Sequence, residues 1–429
     1  MKGTIIRSVI GRQVYSGRGH PGIEATVVTE NGKYASAICT AGVSVGTHEI
    51  PFKYDGGEKF EGKGTSEAAK LIDEKIAPAI IGMDSVDQQA VDQVMLNIGK
   101  EVLGGNATAA VSAAVLQAAA KAADIPLYRH IGGVRAVTLP VAGRGILYGK
   151  RRYNEGPETN KPTYSFLAYD FATFTEASYA LFELGREWDR IAETRFGIVG
   201  NNLLGFSDIP LGATKNDEEI WKIASDIIAQ RGYEGRVGLQ VDVASDSYYN
   251  HKTEIYEGLF NSDKRDRDEQ IGFLIDMAEK YPFVVFEDPL YEDDYEGTAI
   301  LTEKVDIQIV GDDLFTTDPK RVKEGIKHSA ANCVLLKVNQ IGTISESMDM
   351  IQLAQENGYG IMPCMSRGEG VEIADYCVGI AAGTVRECGT GEIGNRFIEI
   401  ERELGSRARF VGKSGIKGRR FSPKNDIAR

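Results

Sequence analysis

The sequence predicts an α/β protein in which a TIM-like (β/α)8 barrel follows a smaller N-terminal α+β capping domain. Beyond residue 236, short apolar strands alternate with helical segments, and the strand positions 287, 312, 337 and 362 are successively 25 residues apart. A strand, a helix and a further strand at such a period form the βα unit of a parallel sheet. The repeated period favours a barrel, although a doubly wound open sheet has the same period.

The first 125 residues show a different sequence pattern. The first 60 residues alternate β-prone runs with Gly-rich turns, which predicts a small antiparallel sheet. Between Ser66 and Ile125 the chain is Ala-rich and helical, and each helical run ends near a Gly or an Asp. We therefore predict a capping domain over residues 1–135, a barrel over 136–412 and a basic tail over 413–429.

Two stretches of the barrel carry clear local signals. Asp318 or Thr317 is predicted to cap a helix that has Pro319 in its first turn, and Thr343 with Glu346 forms a capping box for the next helix.

The segment 143–163 is the least regular part of the interior, and we predict a long loop that is functional or mobile. Its basic side chains either bind an anionic substrate or form a solvated surface; they are Arg144, Lys150, Arg151, Arg152 and Lys161.

Composition excludes several classes of protein. Lys and Arg number 49 against 62 Asp and Glu, so the formal net charge is −13, which argues against binding to nucleic acid or an anionic membrane. Five cysteines without a CxxC pair indicate reduced thiols, and the N-terminus lacks a signal-like apolar run. We therefore expect a cytoplasmic protein. Residues 406–429 reverse the balance, with eight Lys or Arg against Asp426, and predict a solvated tail or an interaction arm.

The strand ends carry the chemistry. Asp242, Glu287, Asp312 and Lys337 each close an apolar run, which packing alone does not explain. Three converging carboxylates need a hard cation, and an all-oxygen site suits Mg²⁺ or Mn²⁺. Burial should lower the pKa of Lys337 towards the range of a base, and an ion pair with Asp313 is the structural alternative.

The motifs around these residues resemble those of the enolase family. They run in order from residue 1 to about 412: SGRGHP at 16–21, AGVSVGTHE at 41–49, LQVDVAS at 239–245, FEDPL at 286–290, VGDDL at 310–314 and LLKVNQIGTISES at 335–347.

The resemblance implies a role for each matching residue. Asp242, Glu287 and Asp312 would bind the essential Mg²⁺, and Lys337 would remove the proton alpha to the substrate carboxylate. Asp313 would support that lysine. Ser44 would close over the substrate with its loop and complete a second Mg²⁺ site. The family also implies a homodimer or a higher homo-oligomer.

The chain departs from the family pattern at several groups. The family's histidine loop and one of its glutamates have no counterpart. Its leaving-group glutamate should fall within residues 199–206, where Asn201 and Asn202 cannot donate a proton as acids do. Its second active-site lysine aligns with Ile393.

The anion clamp of the family is altered to MSRGEG at 365–370. Ser366 and Arg367 can still hold an anionic head group, or they are ordinary loop residues.

Three hypotheses follow. The first is a Mg²⁺-dependent enolase-like lyase that uses Lys337 to form an enediolate from a small anionic acid, phosphorylated or phosphonate-like, with chemistry other than glycolytic dehydration. The second is a genuine enolase that converts 2-phosphoglycerate to phosphoenolpyruvate. The third is a non-catalytic binding scaffold with the enolase fold.

Overall fold

The computed structural model describes residues 2–17, 19–42, 45–148, 161–197, 207–208 and 212–421. As predicted, its N-terminal part is a three-stranded antiparallel sheet, with strands Ile6–Tyr15, Pro21–Thr29 and Tyr34–Thr40. Helices Ser66–Leu71, Ala77–Ile80 and Gly105–Ala122 pack on this sheet. Helices Gln88–Ile98 and Lys100–Leu103 pack on Gly105–Ala122, and Leu127–Gly132 packs mainly on helix Ile373–Gly379 of the barrel. The small Ala and Gly side chains of Gly105–Ala122 let this helix pack closely on the sheet, where most of it is buried.

Eight strands form a barrel whose order around the ring follows the chain. They are numbered first to eighth here: Val141–Tyr148, Thr163–Ala168, Val237–Asp242, Phe283–Glu287, Gln308–Gly311, Cys333–Leu336, Gly360–Pro363 and Thr384–Cys388. The eighth strand hydrogen-bonds to the first and packs beside the seventh, so the sheet is nearly closed.

Two features of the barrel differ from the sequence predictions. Part of the segment 143–163, expected to be a loop, forms the end of the first strand; residues 149–160 lie outside the described part. The second strand runs antiparallel to the first and third, with Thr163 paired to Tyr148 on one side and to Asp242 on the other. The other neighbouring strand pairs of the barrel are parallel.

Helices surround the barrel: Phe174–Phe196, Glu218–Gln230, Arg267–Lys280, Tyr295–Lys304, Pro319–His328, Ile344–Glu356, Ile373–Gly379 and Gly391–Leu404. Both predicted caps are present. The Asp318 side chain accepts from the backbone of Lys320, and the Thr343 hydroxyl accepts from the backbone of Glu346.

The last described residues of the chain pack against one end of the barrel interior. The end opposite the strand carboxyl termini is apolar, and Ile416 and Phe421 pack into the same cluster as Leu335 and Met362. Arg419 also binds Asp306. Residues 413–421 are therefore anchored to the barrel and are not a solvated tail.

No single helix in the described ranges is long and apolar enough to cross a membrane, although one bent pair, Gly105–Ala122 with Leu127–Arg135, passes the same test by length and composition.

Candidate active site

Four of the predicted site residues lie together at the carboxyl ends of neighbouring strands. Asp242 and Glu287 end the third and fourth strands and are paired in register. Asp312 directly follows the fifth strand and Lys337 the sixth. Each of the four is at most 3% exposed, so their charges interact in a medium of low polarity.

Lys337 pairs with Asp312 and not with Asp313. Its Nζ donates to Asp312 Oδ2. Burial alone would lower the pKa of Lys337, but the attraction of Asp312 outweighs burial and the pKa lies above its ordinary value. Burial would raise the pKa of Asp312, and Lys337 instead brings it down to about 2. The expectation that burial leaves Lys337 with a lowered pKa is wrong for the free protein, in which the pair holds it as an ammonium.

Two further cations neutralise the remaining carboxylates. The Arg386 guanidinium donates to Asp242 Oδ2 and, at 3.1 Å, to Glu287 Oε1. The Lys161 ammonium pairs with the same oxygen of Asp242. Burial, followed by repulsion from Arg386, lowers the pKa of Lys161 to about 7. Three buried acids thus face three buried cations supplied by the chain.

Sequence reasoning missed Arg386. The alignment of the family's second lysine with Ile393 is not supported, because Ile393 lies in helix Gly391–Leu404 and packs in the hydrophobic core. Arg386 is the cation that the eighth strand brings to the site. A signal was available, since the 25-residue spacing continued from Met362 reaches residue 387, beside this arginine.

A further buried carboxylate, Glu387, lies next to Arg386. Its Oε1 accepts a hydrogen bond from Ser165 Oγ at 3.1 Å, and Ser165 belongs to the second strand. Arg386 Nε lies 3.4 Å from the same oxygen. The irregular side of the barrel therefore contributes its own acid to the site.

The donors fit a divalent cation, although the chain's own cations now lie among them. Within the described residues, Glu287 Oε2 is buried and has no hydrogen-bond partner, so this oxygen is available to bind a cation. The oxygens of Asp242, Glu287 and Asp312 do not all come within 4.8 Å of one another. In the described part of the chain, two other groups do so: Asp288 with Asp312 and Asp313, and His48 with Glu292 and Asp293. Arg386 lies between Asp242 and Glu287, and Lys337 is paired with Asp312.

Asp288 holds the backbone of the acidic pair in place. Its two carboxylate oxygens accept from the backbone N–H groups of Asp312 and Asp313, at 2.9 and 2.8 Å. Burial and repulsion from Asp313 raise the pKa of Asp288 well above its ordinary value. Burial and repulsion from Asp312 raise the pKa of Asp313 to about 8. Asp313 therefore lies beside the lysine's partner without forming the ion pair.

Ser44 lies outside the described residues, but the residues that follow it rest on the barrel. The Thr47 backbone N–H donates to Glu292 at 3.0 Å, and its hydroxyl donates to the same carboxylate. Gly46 lies so close to Asp313 that an added Cβ would be 2.9 Å from Asp313 Oδ1. Gly46 and Thr47 therefore contact the mouth of the barrel.

The two residues of the predicted anion clamp, Ser366 and Arg367, have different partners. Arg367 is 1% exposed, and its guanidinium binds both oxygens of Glu49, at 2.7 and 2.5 Å. Ser366 is half-buried and accepts a weak hydrogen bond from Cys364. Arg367 thus joins the loop of the capping domain to the barrel in the free protein.

The basic residues of segment 143–163 have different environments. Arg144 is buried and pairs with Asp189 on an outer helix, at 3.2 Å, so it does not face the strand ends. Lys161 reaches the site, as described above. Lys150, Arg151 and Arg152 lie outside the described residues, as do Asn201 and Asn202.

Comparison with known proteins agrees with this architecture. Residues 6–131 match the family model "Enolase, N-terminal domain" and residues 165–419 match "Enolase, C-terminal TIM barrel domain". A protein named enolase from Bifidobacterium animalis subsp. lactis is 36% identical, over 96% of this chain and 98% of its own length. One from Methanocaldococcus jannaschii is 34% identical, over 95% and 97%. The chain therefore belongs to the enolase family and is an enzyme of that family's carbon–oxygen lyase class.

Proposed function

We propose that the enzyme removes the proton alpha to the carboxylate of a small anionic acid, with Lys337 as the base. The observation that supports this function is the placement of Lys337 beside three buried carboxylates on successive strand ends. Packing does not require charged groups at these positions, whereas proton abstraction requires a base beside a region that stabilises negative charge.

We propose Mg²⁺ as the cofactor, held by Asp242, Glu287 and Asp312, with Ser44 supplying a second site. A divalent cation bound there would offset the negative charge that develops on the substrate carboxylate as the proton leaves. In the free protein, the charge of Asp312 keeps Lys337 protonated. When a cation binds Asp312, that attraction weakens, and Lys337 can lose its proton and act as a base.

The remaining assignments concern the substrate and the assembly. Ser366 and Arg367 are our candidates for binding an anionic head group, such as a phosphate or phosphonate, with Arg367 releasing Glu49 when the anion binds. Asp313 supports the lysine from beside its partner. We also propose a homodimer or a larger homo-oligomer.

Solvent exchange tests the role of Lys337. The protein is incubated in D₂O with Mg²⁺ and 2-phosphoglycerate, 2-phospholactate or malate, and loss of the alpha proton is followed by NMR. Lys337→Ala should slow exchange by about 10²- to 10⁴-fold, the usual contribution of a general base. Lys323→Ala, an exposed lysine of a barrel helix, is the matched control. Unchanged exchange in Lys337→Ala, or no exchange of any acid by the unmodified enzyme, would reject the proposal.

A second candidate function is the dehydration of 2-phosphoglycerate to phosphoenolpyruvate. It is favoured by the relatives named enolase, which match nearly the whole chain. The ultraviolet absorbance of the enol product distinguishes it, since proton exchange without dehydration gives no such signal. A scaffold without activity would show neither signal, even where Mg²⁺ stabilises its fold.

A further inference from the structure

The eighth strand contains an irregularity next to the site. Val385 pairs with Ala142 of the first strand and Cys388 pairs with Gly143, so Arg386 and Glu387 have no partners across the sheet. Two extra residues against none on the neighbouring strand form a β-bulge. Bulges next to active sites redirect side chains.

The bulge turns Glu387 into the barrel. Along a regular strand, side chains alternate between the two faces. Thr384 faces the interior, where it bonds to Gln308, and Arg386 does so as well. Glu387 should then face the helices, yet it accepts from Ser165 Oγ.

Backbone conformation supplies the cause of this reversal. Glu387 and Cys388 have φ angles of 53° and 63°. A left-handed backbone is unfavourable for a residue other than glycine and persists where the surroundings enforce it, often at functional sites.

The first strand leaves room for the redirected carboxylate. Arg144 on that strand points outwards to Asp189, so its neighbour Gly143 faces the interior. A Cβ on Gly143 would lie 2.9 Å from a backbone oxygen and 3.6 Å from the Cα of Glu387. With no side chain at Gly143, Glu387 extends over the first strand to Ser165 on the second.

The hydrogen bonds of Arg386 are directed away from Glu387. The terminal nitrogens of Arg386 bond to Asp242, Glu287 and Thr163. Its Nε forms an ion pair with Glu387 at 3.4 Å but donates no hydrogen bond within the described residues. Around the ring, the third, fourth and fifth strands with their acids separate Ser165 on the second strand from Lys337 on the sixth. The Glu387–Ser165 pair and the base therefore reach the site from different sides.

We propose that Glu387, turned into the barrel by the bulge and held by Ser165, is the acid that protonates the group leaving the beta carbon of the substrate. It takes the role of the family's leaving-group glutamate, for which residues 199–206 offer no acid. The inference rests on the proposed function, because it needs Lys337 to remove the alpha proton.

The step balances with groups already named. Lys337 Nζ takes the alpha proton, and the electron pair of that C–H bond forms the double bond between the alpha and beta carbons. The bond from the beta carbon to its hydroxyl oxygen breaks. Glu387 gives its proton to that oxygen, so water departs and the glutamate remains as a carboxylate. No oxidant or further reactant is required.

Separating the two proton transfers tests this role, with 2-phosphoglycerate and Mg²⁺ as probes. Alpha-proton exchange into D₂O reports Lys337, and release of the enol product reports the leaving group. Glu387→Gln should keep exchange within about threefold of the unmodified enzyme and slow elimination by about 10²- to 10⁴-fold. Glu392→Gln, an exposed glutamate five residues further on, should change neither rate.

The other outcomes are also decisive. Elimination at the unmodified rate in Glu387→Gln would overturn the inference, and an equal fall in both rates would make Glu387 a positioning residue instead. Exchange without elimination by the unmodified enzyme would overturn the inference but leave the proposed function standing. No exchange of any of the three acids would overturn both. Unaltered Mn²⁺ affinity, measured by electron paramagnetic resonance, would show that the variant site is intact; if Glu387→Gln fails to fold, Ser165→Ala should slow elimination alone.

Discussion

The third to sixth barrel strands and the first, second and eighth strands contribute to the same site in different ways. On the regular side, each strand ends in one functional residue, spaced 25 residues apart at Glu287, Asp312 and Lys337. On the irregular side, an antiparallel strand and a bulge bring in Lys161, Ser165, Arg386 and Glu387. The regular side carries the predicted metal ligands and base, and the irregular side carries the groups that neutralise or complement them.

The difference between the two sides shows that cations of the irregular side neutralise the acids of the regular side. Three acids on the regular side would repel one another if left alone. Lys161 and Arg386, both from the irregular side, pair with Asp242, and Arg386 also pairs with Glu287. The other oxygen of Glu287 has no hydrogen bond in the described part of the chain. A cation that binds to the acids must therefore compete with the chain's own side chains.

The largest expected effect comes from removing the irregular side's guanidinium. Arg386→Met leaves Asp242 and Glu287 buried with less compensation, and loss of one partner of a buried ion pair costs about 3–5 kcal/mol. We expect that loss in metal-free protein by denaturant unfolding, and most of it should be restored by Mg²⁺, which then binds without a competitor. An equal loss with and without Mg²⁺ would show that Arg386 and the metal do not compete.

A smaller effect is expected from the regular side. Asp312→Asn removes a carboxylate from the proposed ligand set, and Mn²⁺ affinity measured by calorimetry should fall by about 100-fold, which corresponds to about 2.7 kcal/mol. Asp349→Asn, an exposed aspartate on helix Ile344–Glu356, is the control and should bind Mn²⁺ as the unmodified protein does. Undiminished affinity in Asp312→Asn would move the metal away from the predicted ligands.

The smallest effect is expected from a substitution on the regular side that changes the stability of a helix but not the metal site. Thr343→Ala removes the hydroxyl that accepts from the Glu346 backbone at 3.2 Å. Loss of such a cap costs about 1 kcal/mol of unfolding free energy, with Mn²⁺ affinity unchanged. A change in affinity would reveal that the helix behind Lys337 positions the site.

The regular units were predictable because their signals are local. The strand at Phe283–Glu287 and the caps at Asp318 and Thr343 each depend on residues within a few positions of one another, and each is present as predicted. The predicted box is only half formed, because the Glu346 side chain accepts from the Thr343 hydroxyl. Residues 143–148 of the first strand fall in the segment predicted to be a loop, since this Gly-rich run lacks the alternation of a strand. That glycine content has its reason in the fold, where Gly143 makes room for Glu387.

The pairing of charges was less predictable than their positions. The sequence indicated that Lys337 is buried, and burial alone lowers the pKa of an amine. Whether burial or an ion pair prevails depends on which carboxylate the side chain reaches, and Asp312 rather than Asp313 lies within reach. The positions of these residues in the sequence do not give the distance from Lys337 to either carboxylate.

The sequence by itself determined the enolase-type barrel with its cap and the four residues at successive strand ends, because period and motif spacing are properties of the chain. Only the tertiary structure decided that Arg386 and Lys161 neutralise those residues and that Glu387 faces Ser165. These contacts join residues that are far apart in the chain. Arg386 and Asp242 are 144 residues apart, Lys161 and Asp242 are 81 apart, and Ser165 and Glu387 are 222 apart. They depend on closure of the barrel and on a bulge with a reversed backbone, which no local pattern specifies.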